Sequence, residues 1–308
     1  MSHFQQENRR RLTVGQDGNA LVMLIAMQLV VFVLLAFIKV IYYFTYGKTG
    51  LGVYQSQILE WVTLPANLSV FITRPWTLFT HMFVHDDVWH IVANMLWLWA
   101  FGYILQDMAG NRKIIPVFIY GALAGAAVYM LALNIIPGLQ DNLVHARALG
   151  ASAGVMAIAI ASTTLAPNYR IFPLINGGIP LWVLTAIFVI IDLATIPYNN
   201  AGGHIAHLAG GAMGYLFVAM LRKGYDWSNW MNNCFDWVSN LFNPAKPKKG
   251  KNMKTELFYK STIPPFKKTS NLSQQKVDEI LDKISQKGYH SLTEDEKEIL
   301  RRASKEDL

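Results

Sequence analysis

A serine among small residues is the first candidate for chemistry. Ser152 lies in GASAG, residues 150–154, directly before a long apolar run. Small residues let helices approach closely, so helix packing alone could explain this stretch. A serine in the first turn of a helix, however, has free N–H groups and a partial positive charge beside it, which would stabilise an oxyanion. Soluble hydrolases with GxSxG place a strand before this serine, and we expect no strand here.

Two histidines in another apolar stretch could supply a base. His204 and His207 lie in GGHIAHLAGGAMG, residues 202–214, and no charge follows until Arg222. An isolated buried histidine is more often a hydrogen-bonded packing residue than a catalyst. Histidines at i and i+3 without a nearby carboxylate are a weak ligand set, so we predict no metal. No acid obviously completes a triad, so the sequence favours a Ser–His dyad, and Asp192 is a possible partner for some polar group.

A third polar cluster could stabilise negative charge. His90 and Asn94 are four residues apart, so they share one helix face, and both can donate hydrogen bonds. The alternative is that they tie their helix to its neighbours, as polar residues in membrane bundles often do. His81 and His85 lie nearer the outer surface, where we favour a packing or loop-anchoring role.

Composition shows which elements must carry these side chains. The chain has 308 residues, of which 53% are hydrophobic and 15% charged, whereas soluble proteins usually carry about 25% charge. Residues 20–221 are poor in charge and those after 245 are rich in it, which favours a membrane body with a soluble tail. The net charge is +7, and much of the excess of basic residues lies beside apolar segments, as is typical of membrane helices. We therefore expect no nucleic-acid partner. One cysteine, Cys234, excludes an intramolecular disulfide.

Six apolar segments are long enough to be spans. They cover about 20–46, 79–105, 114–134, 150–166, 179–197 and 203–221. The first is too long for the apolar core of a signal peptide and no small-residue cleavage site follows it, so we expect it to be retained. Loop 47–78 is apolar enough to lie in the outer interface as short amphipathic pieces.

The positive charges predict the orientation of the spans. Lysines and arginines cluster at four places that share one side if there are six spans: Arg9–Arg11, Arg112–Lys113, Arg170 and Arg222–Lys223. The opposite loops hold few positive charges. Both termini, including the N-terminal segment 1–19, are therefore predicted to be cytoplasmic.

Depth in the bilayer tests whether the clusters meet. Counted from the cytoplasmic ends of their spans at about 1.5 Å per residue, Ser152 and His207 both lie roughly 22 Å up. Asn94 and His90 lie roughly 20 and 25 Å up. All four share a level roughly 8 Å below the outer boundary of a hydrocarbon layer about 30 Å thick. His204 lies one turn nearer the surface, so we favour His207 as the base.

The combined pattern resembles the rhomboid intramembrane serine proteases over roughly residues 74–221. The matching motifs are HxxxN at His90 and Asn94, GxS at Gly150–Ser152, and AHxxGxxxG at Ala206, His207, Gly210 and Gly214. The resemblance implies that Ser152 is the nucleophile and His207 the general base. It also implies an oxyanion hole formed by His90, Asn94 and the Ser152 backbone N–H, with Gly210 and Gly214 pressing span six against span four.

Three positions depart from the family pattern. Ala153 stands where glycine commonly follows the nucleophile, Met156 where an aromatic ring often stacks on the histidine, and Thr77 where arginine often follows Trp76. These departures affect loop and pocket details and leave the serine and histidine in place.

The resemblance implies an all-α membrane protein with a six-helix rhomboid-like bundle at 20–223. Its expected activity is hydrolysis of single-span or other transmembrane proteins near their outer ends, in the lipid bilayer, without a cofactor. We expect it in a bacterial inner (plasma) membrane. A catalytically silent relative that binds membrane clients is the alternative. A transporter is disfavoured because no inverted repeat or matching pair of broken helices is evident.

The charged C-terminal part forms two further segments. Residues 224–270 are expected to be a juxtamembrane segment and a basic linker that could touch anionic lipid. Residues 271–308 predict a cytoplasmic hairpin of two short helices, with Gly288 ending the first and Ser291 or Thr293 capping the second. Such a hairpin is too small for much stability alone, and its partner is unknown.

Overall fold

A computed structural model describes residues 18–171, 177–198, 200–241 and 274–306. The chain divides into two compact units, Met1–Asn243 and Pro244–Leu308. The N-terminal arginines and the basic part of the linker lie outside the described residues.

Six apolar helices form the first unit. They are α1 (Ala20–Tyr46), α2 (Val88–Ala109), α3 (Ile114–Ile135), α4 (Ser152–Leu165), α5 (Leu181–Thr195) and α6 (Ala201–Arg222). Within the described residues, 4 helical segments are long and apolar enough to cross a membrane, and they contain α1, α2, α3 and α6. Helices α4 and α5 are apolar but shorter, with 14 and 15 residues. The chain is therefore a multi-pass membrane protein, and a count of six spans stays a prediction.

The second helix begins nine residues later than the span predicted from residue 79. Asp87 caps it, because its Oδ1 accepts a hydrogen bond from the backbone N–H of His90 at 2.9 Å. The residues before this cap form two short turns, Thr77–Thr80 and His81–Phe83. Hydropathy does not distinguish these turns from the helix, because both are apolar.

The loop between α1 and α2 consists of short pieces. The helical pieces are Gly47–Thr49, Gly50–Tyr54, Gln55–Leu59, Glu60–Val62 and Leu68–Thr73. At its exposed surface the indole rings of Trp61 and Trp76 stack at 6.1 Å, and the Arg74 guanidinium lies 4.2 Å from the Trp61 ring centroid.

Two very short strand pairs tie the loops together. Strand β1 (Leu64–Pro65) pairs antiparallel with β2 (Arg147–Ala148), and β3 (Arg170–Ile171) pairs with β4 (Ile179–Pro180). The expectation that no strand precedes Ser152 is therefore wrong, although β2 has only two residues. A pairing of this length leaves no period-2 pattern in the sequence, so hydropathy does not reveal it.

Helix α4 is the most buried of the six, and glycines bring its neighbours into backbone contact with it. A Cβ added to Gly210 of α6 would lie 2.2 Å from the Ala153 carbonyl oxygen, and one added to Gly214 would lie 2.1 Å from that of Ala157. From α3, a Cβ on Gly121 would lie 2.2 Å from the Ala157 Cβ. Helix α4 thus lies between α3 and α6 at distances that only glycine allows.

A seventh helix, α7 (Ser228–Leu241), follows the bundle and is anchored by polar contacts. Lys113 at the start of α3 donates hydrogen bonds to Asp226 and, at 2.7 Å, to the Ser228 hydroxyl. Burial alone would raise the pKa of the Asp226 carboxyl, but the hydrogen bonds from Lys113 and Ser228 outweigh it and hold that pKa below its usual range.

The second unit contains α8 (Gln274–Lys287) and α9 (Glu294–Glu306). Gly288 follows α8 with a φ of +77°. The Thr293 hydroxyl accepts from the Glu296 N–H at 3.4 Å, and the Glu296 carboxylate accepts from the Thr293 N–H at 2.8 Å, which is a capping box. Thr293 is therefore the cap of α9.

Candidate functional site

Ser152 is the first residue of α4, and the loop before it is held by histidines. Gly150 has a φ of +113°, and a Cβ added there would lie 2.8 Å from the His90 ring. The Gly150 N–H donates to the His81 carbonyl at 2.9 Å, and the Ala151 N–H donates to His85 Nε2 at 3.4 Å. Glycine is needed at 150 for its conformation and for space, and His81 and His85 contact the loop that positions the serine.

The Ser152 hydroxyl lies within hydrogen-bonding distance of one of the two histidines on α6. Ser152 Oγ is 2.7 Å from His207 Nε2. Gly210, one turn after His207, lies against the Ala153 carbonyl, so the close helix contact brings the imidazole to the hydroxyl. His204 lies one turn before His207 and contacts other groups.

The structure places a carboxylate beside the predicted Ser–His dyad, for which the sequence offered no obvious acid. Asp192 of α5 places Oδ1 3.0 Å from His207 Nδ1 and 2.6 Å from His204 Nδ1. Thr195 Oγ1 lies 3.3 Å from the same nitrogen of His204. Ser152, His207 and Asp192 therefore form the hydrogen-bonded order of a catalytic triad.

Sequence reasoning did not pair Asp192 with the histidines because it lies on another helix, 15 residues before His207. Spacing along one helix cannot show which groups of two helices meet. The available signal was the cost of placing a carboxylate in an apolar segment, which makes a partner necessary. Asp192 is 3% exposed and finds that partner in the two histidines.

The two side chains predicted as oxyanion donors differ in their positions. The His90 ring lines the cavity beside Ser152, and the His85 ring packs edge-on against it with centroids 5.0 Å apart. Asn94 is buried one turn further along α2, where its amide donates to the His90 carbonyl at 2.9 Å. The structure therefore brings together Ser152, His207 and His90, while the Asn94 side chain contacts the backbone carbonyl of His90.

A cavity of about 400 Å³ opens beside the serine. It is bounded by α3, α6 and the loop before α4, and its lining includes Tyr129, Arg147, Gly150, Ser152, Gly203 and His207. Arg147 is oriented by the Glu60 carboxylate at 2.9 Å. The cavity gives the hydroxyl a space for water and for a carbonyl group.

The three departures from the family pattern have structural roles. Ala153 is 8% exposed, and its Cβ is 2.6 Å from the point where a Cβ on Gly125 would lie. Met156 is 1% exposed and lies against Gly211 of α6. Thr77 is buried, and its hydroxyl donates to the Arg74 carbonyl at 2.7 Å.

Family models match two parts of the chain. A rhomboid domain matches residues 73–224, which contain the whole site. A family of unknown function (DUF6576) matches residues 266–306, which contain α8 and α9.

Curated relatives match up to about half of the chain. RHOMBOID-like protein 12, mitochondrial, of Arabidopsis thaliana is 29% identical over 48% of this chain and 47% of its own length. Rhomboid protein 1, mitochondrial, of Saccharomyces cerevisiae is 28% identical over 51% and 44%. Rhomboid protease GlpG of Salmonella newport is 31% identical over 23% and 25%. The match thus spans less than half the length of each relative, and the two mitochondrial names give no support to the expected bacterial inner membrane.

Proposed function

We propose, because this chain belongs to the rhomboid family, that it is an intramembrane serine endopeptidase. The observation that carries the proposal is the 2.7 Å distance between Ser152 Oγ and His207 Nε2 beside a cavity in an apolar helix bundle. A nucleophile within hydrogen-bonding distance of its base is the arrangement that covalent catalysis requires.

The proposed reaction begins with proton transfer. His207 Nε2 accepts the Ser152 hydroxyl proton while Oγ attacks the carbonyl carbon of the scissile peptide bond. Asp192 accepts a hydrogen bond from His207 Nδ1–H, so it selects the tautomer whose Nε2 is free to act as base. His207 then gives the proton to the leaving amine, and water attacks the acyl-enzyme by the same route.

The negative charge of the tetrahedral intermediate needs donors that are already in place. The Ser152 backbone N–H has no partner within its own helix because it lies in the first turn of α4. The His90 ring lies beside Gly150, two residues before Ser152. Asn94 uses one amide hydrogen for the His90 carbonyl and keeps a second, which we assign to the oxyanion.

The proposed substrates are single-span or other transmembrane proteins in the bilayer. Ser152 begins α4, 13 residues before Leu165 at its predicted cytoplasmic end, and a rise of about 1.5 Å per residue supports a cleavage level in the outer half of the membrane. The protein acts with both termini on the cytoplasmic side. A bacterial inner membrane stays a prediction.

The runner-up function is a silent rhomboid-like protein that binds membrane clients without cleaving them. It would use the same cavity and the same bundle. The intact serine, histidine and carboxylate favour the protease, because such a binding protein has no need of them.

Activity-probe labelling tests the proposal. The purified protein in detergent or liposomes should react with a fluorophosphonate, and Ser152→Ala and His207→Ala should not. Ser162→Ala is the matched control, because Ser162 lies on the same helix and its hydroxyl donates to backbone carbonyls of Phe101 and Ile158. His204→Ala should keep labelling.

Labelling that survives Ser152→Ala would overturn the site. Loss of labelling in His204→Ala with retention in His207→Ala would assign the base to the other histidine. A labelled protein that never cleaves a reconstituted transmembrane substrate would favour the client-binding function.

A further inference from the structure

Three metal-ligating side chains meet behind the catalytic serine. The ligand atoms of Asp192, His204 and His207 all lie within 4.8 Å of one another. The two ring Nδ1 atoms approach the same carboxylate oxygen, at 2.6 Å from His204 and 3.0 Å from His207. The sequence discounted the two histidines as ligands because no carboxylate was near, and α5 supplies it.

One oxygen of this cluster is unused. Asp192 Oδ2 is buried and has no hydrogen-bond partner among the residues that the structure describes. The Asp192 side chain is 4% exposed, so bulk water does not readily compensate for this loss. Buried polar atoms in folded proteins almost always have a partner, and an exception calls for one such as a bound water or ion.

We propose that Asp192, His204 and His207 form an inhibitory zinc site that shares His207 with the catalytic group. Two imidazoles and one carboxylate, with water in the fourth position, are a set that Zn²⁺ binds in open sites. The inhibitory part of this proposal rests on the proposed protease function, whereas metal binding does not.

The distances allow the ion after a small adjustment. Zinc–nitrogen and zinc–oxygen bonds of about 2.0–2.2 Å place tetrahedral ligand atoms about 3.3–3.5 Å apart. The separations of 2.6 Å and 3.0 Å from the carboxylate oxygen must therefore widen by less than about 1 Å, and the two imidazole nitrogens, which lie within 4.8 Å of each other, must come to the same spacing. The two histidine side chains are 18% and 20% exposed, and His207 lines the cavity, so an ion can enter from there.

Zinc at this position removes the base by changing a tautomer. A neutral imidazole carries one N–H, so when Nδ1 of His207 binds the metal its hydrogen moves to Nε2. Nε2 then donates to Ser152 Oγ and cannot accept the hydroxyl proton. The carboxylate stays ionised and no proton is lost, so the inhibition is reversible when the metal is removed.

Metal binding is measured without activity. Untagged full-length Ser152→Ala protein in detergent is freed of metal with a chelator and titrated with Co²⁺, whose visible absorption reports coordination, and Zn²⁺ is then added to displace it. We expect one equivalent of Co²⁺. Adding His204→Ala or Asp192→Asn to Ser152→Ala should weaken binding by at least about tenfold, because even outer contacts to ligands are worth that much.

The control variant is His145→Ala in the same Ser152→Ala protein, because His145 is an exposed loop histidine. It should bind Co²⁺ like the parent. Binding that is absent in the parent, or that is unchanged by both His204→Ala and Asp192→Asn, overturns the site.

Inhibition is measured on the protein with Ser152 intact. Zn²⁺ should block probe labelling of the wild type, and a chelator should restore it. In His204→Ala, the Zn²⁺ concentration that inhibits labelling, measured against the metal-free rate of the same variant, should rise by at least about tenfold. Equal inhibition of both proteins overturns the inhibitory site. A protein that binds Co²⁺ with the expected differences between variants, but shows no Ser152-dependent activity without metal, supports the metal site. That result overturns the proposed protease function instead.

Discussion

At the level of residues, the site is a chain of four polar side chains inside an apolar bundle. Ser152 contacts His207, His207 contacts Asp192, and Asp192 also contacts His204. Ionisable groups in membrane segments are costly unless they are paired. The two histidines satisfy one oxygen of the carboxylate, and only the histidine that also contacts the serine is in position to act as its base.

The first prediction concerns Asp192 as a positioning residue. Asp192→Asn keeps the size of the side chain but removes the charge that stabilises the imidazolium. We expect kcat to fall by about a hundredfold to ten-thousandfold, with little change in KM. The measurement is steady-state cleavage of a reconstituted transmembrane substrate.

A structural role for Asp192 would give another result. The Tm of Asp192→Asn should stay close to that of the wild type, and Asp192→Glu, which restores the charge, should recover part of kcat. A parallel loss of Tm and kcat in both variants would mean that the carboxylate holds α5 on α6 and does not act through His207.

At the level of elements, the position of His207 depends on how closely α6 packs on α4. Gly210 and Gly214 lie against backbone carbonyl oxygens of α4, which cannot move independently of that helix. Gly211, the neighbour of Gly210, instead faces the flexible side chains of Ile160 and Met156. Two adjacent glycines of one helix therefore differ in what a methyl group would meet.

The second prediction uses that difference. Gly210→Ala should lower the free energy of unfolding by about 1–3 kcal/mol, because overpacking forces the helices apart, and should also abolish probe labelling. Gly211→Ala should have a smaller effect on both, since its contacts are at 3.0 Å and 3.2 Å to side-chain atoms. Thermal unfolding in detergent and probe labelling measure the two effects. Equal losses in the two variants would show that α6 is not held by the Gly210 contact.

The third prediction concerns the anchor of α7. The lowered pKa of Asp226 means that its contribution to stability is present above the ordinary carboxyl pKa of about 3.9 and is lost as pH falls through the lower pKa of the folded state. Asp226→Asn should therefore lower Tm at pH 7 and make the further loss of Tm on acidification below about pH 4 shallower.

The control for this prediction is Asp141→Asn, because Asp141 is an exposed loop carboxyl. Its Tm should follow the wild-type curve throughout. If the plot of Tm against pH for Asp226→Asn is displaced uniformly from that of the wild type, with the same decrease in Tm at low pH, the assigned pKa direction is contradicted.

At the level of the whole molecule, positive charge and apolar helices predict one orientation. The chain has one cysteine, Cys234, which is exposed on α7. Lys223, five residues before α7, and Arg112 lie on the side predicted to face the cytoplasm. The single thiol therefore serves as a natural reporter of that side.

The fourth prediction is that a membrane-impermeant maleimide labels Cys234 in opened but not in intact cells. Cys234→Ala/Asp141→Cys moves the thiol to the loop between α3 and α4 and should label in intact cells. The reverse pattern would place both termini on the opposite side, and labelling of both positions from one side would contradict an odd number of crossings between them.

The sequence by itself determined the class of the molecule and most of its helices. Five of the six apolar segments begin or end within two residues of the observed helices, because hydropathy is a local property that a membrane enforces along each segment. The exception is α2, whose start depends on the Asp87 cap. Ser152 and His207 could be paired from depth and glycine spacing, because rise per residue converts position in the chain into height.

Only the tertiary structure decided which side chains of different helices face one another at the same height in the bundle. The rise per residue gives the height of a side chain in the bundle but not the direction in which it points around its helix axis. The sequence therefore could not show that Asp192 of α5 lies beside both histidines of α6. The same limit hid the two-residue pairing of Leu64–Pro65 with Arg147–Ala148, which ties a distant loop to the segment before Ser152. Contacts between elements depend on packing in three dimensions, and these contacts turned a serine and a histidine into a longer polar chain with room for a metal.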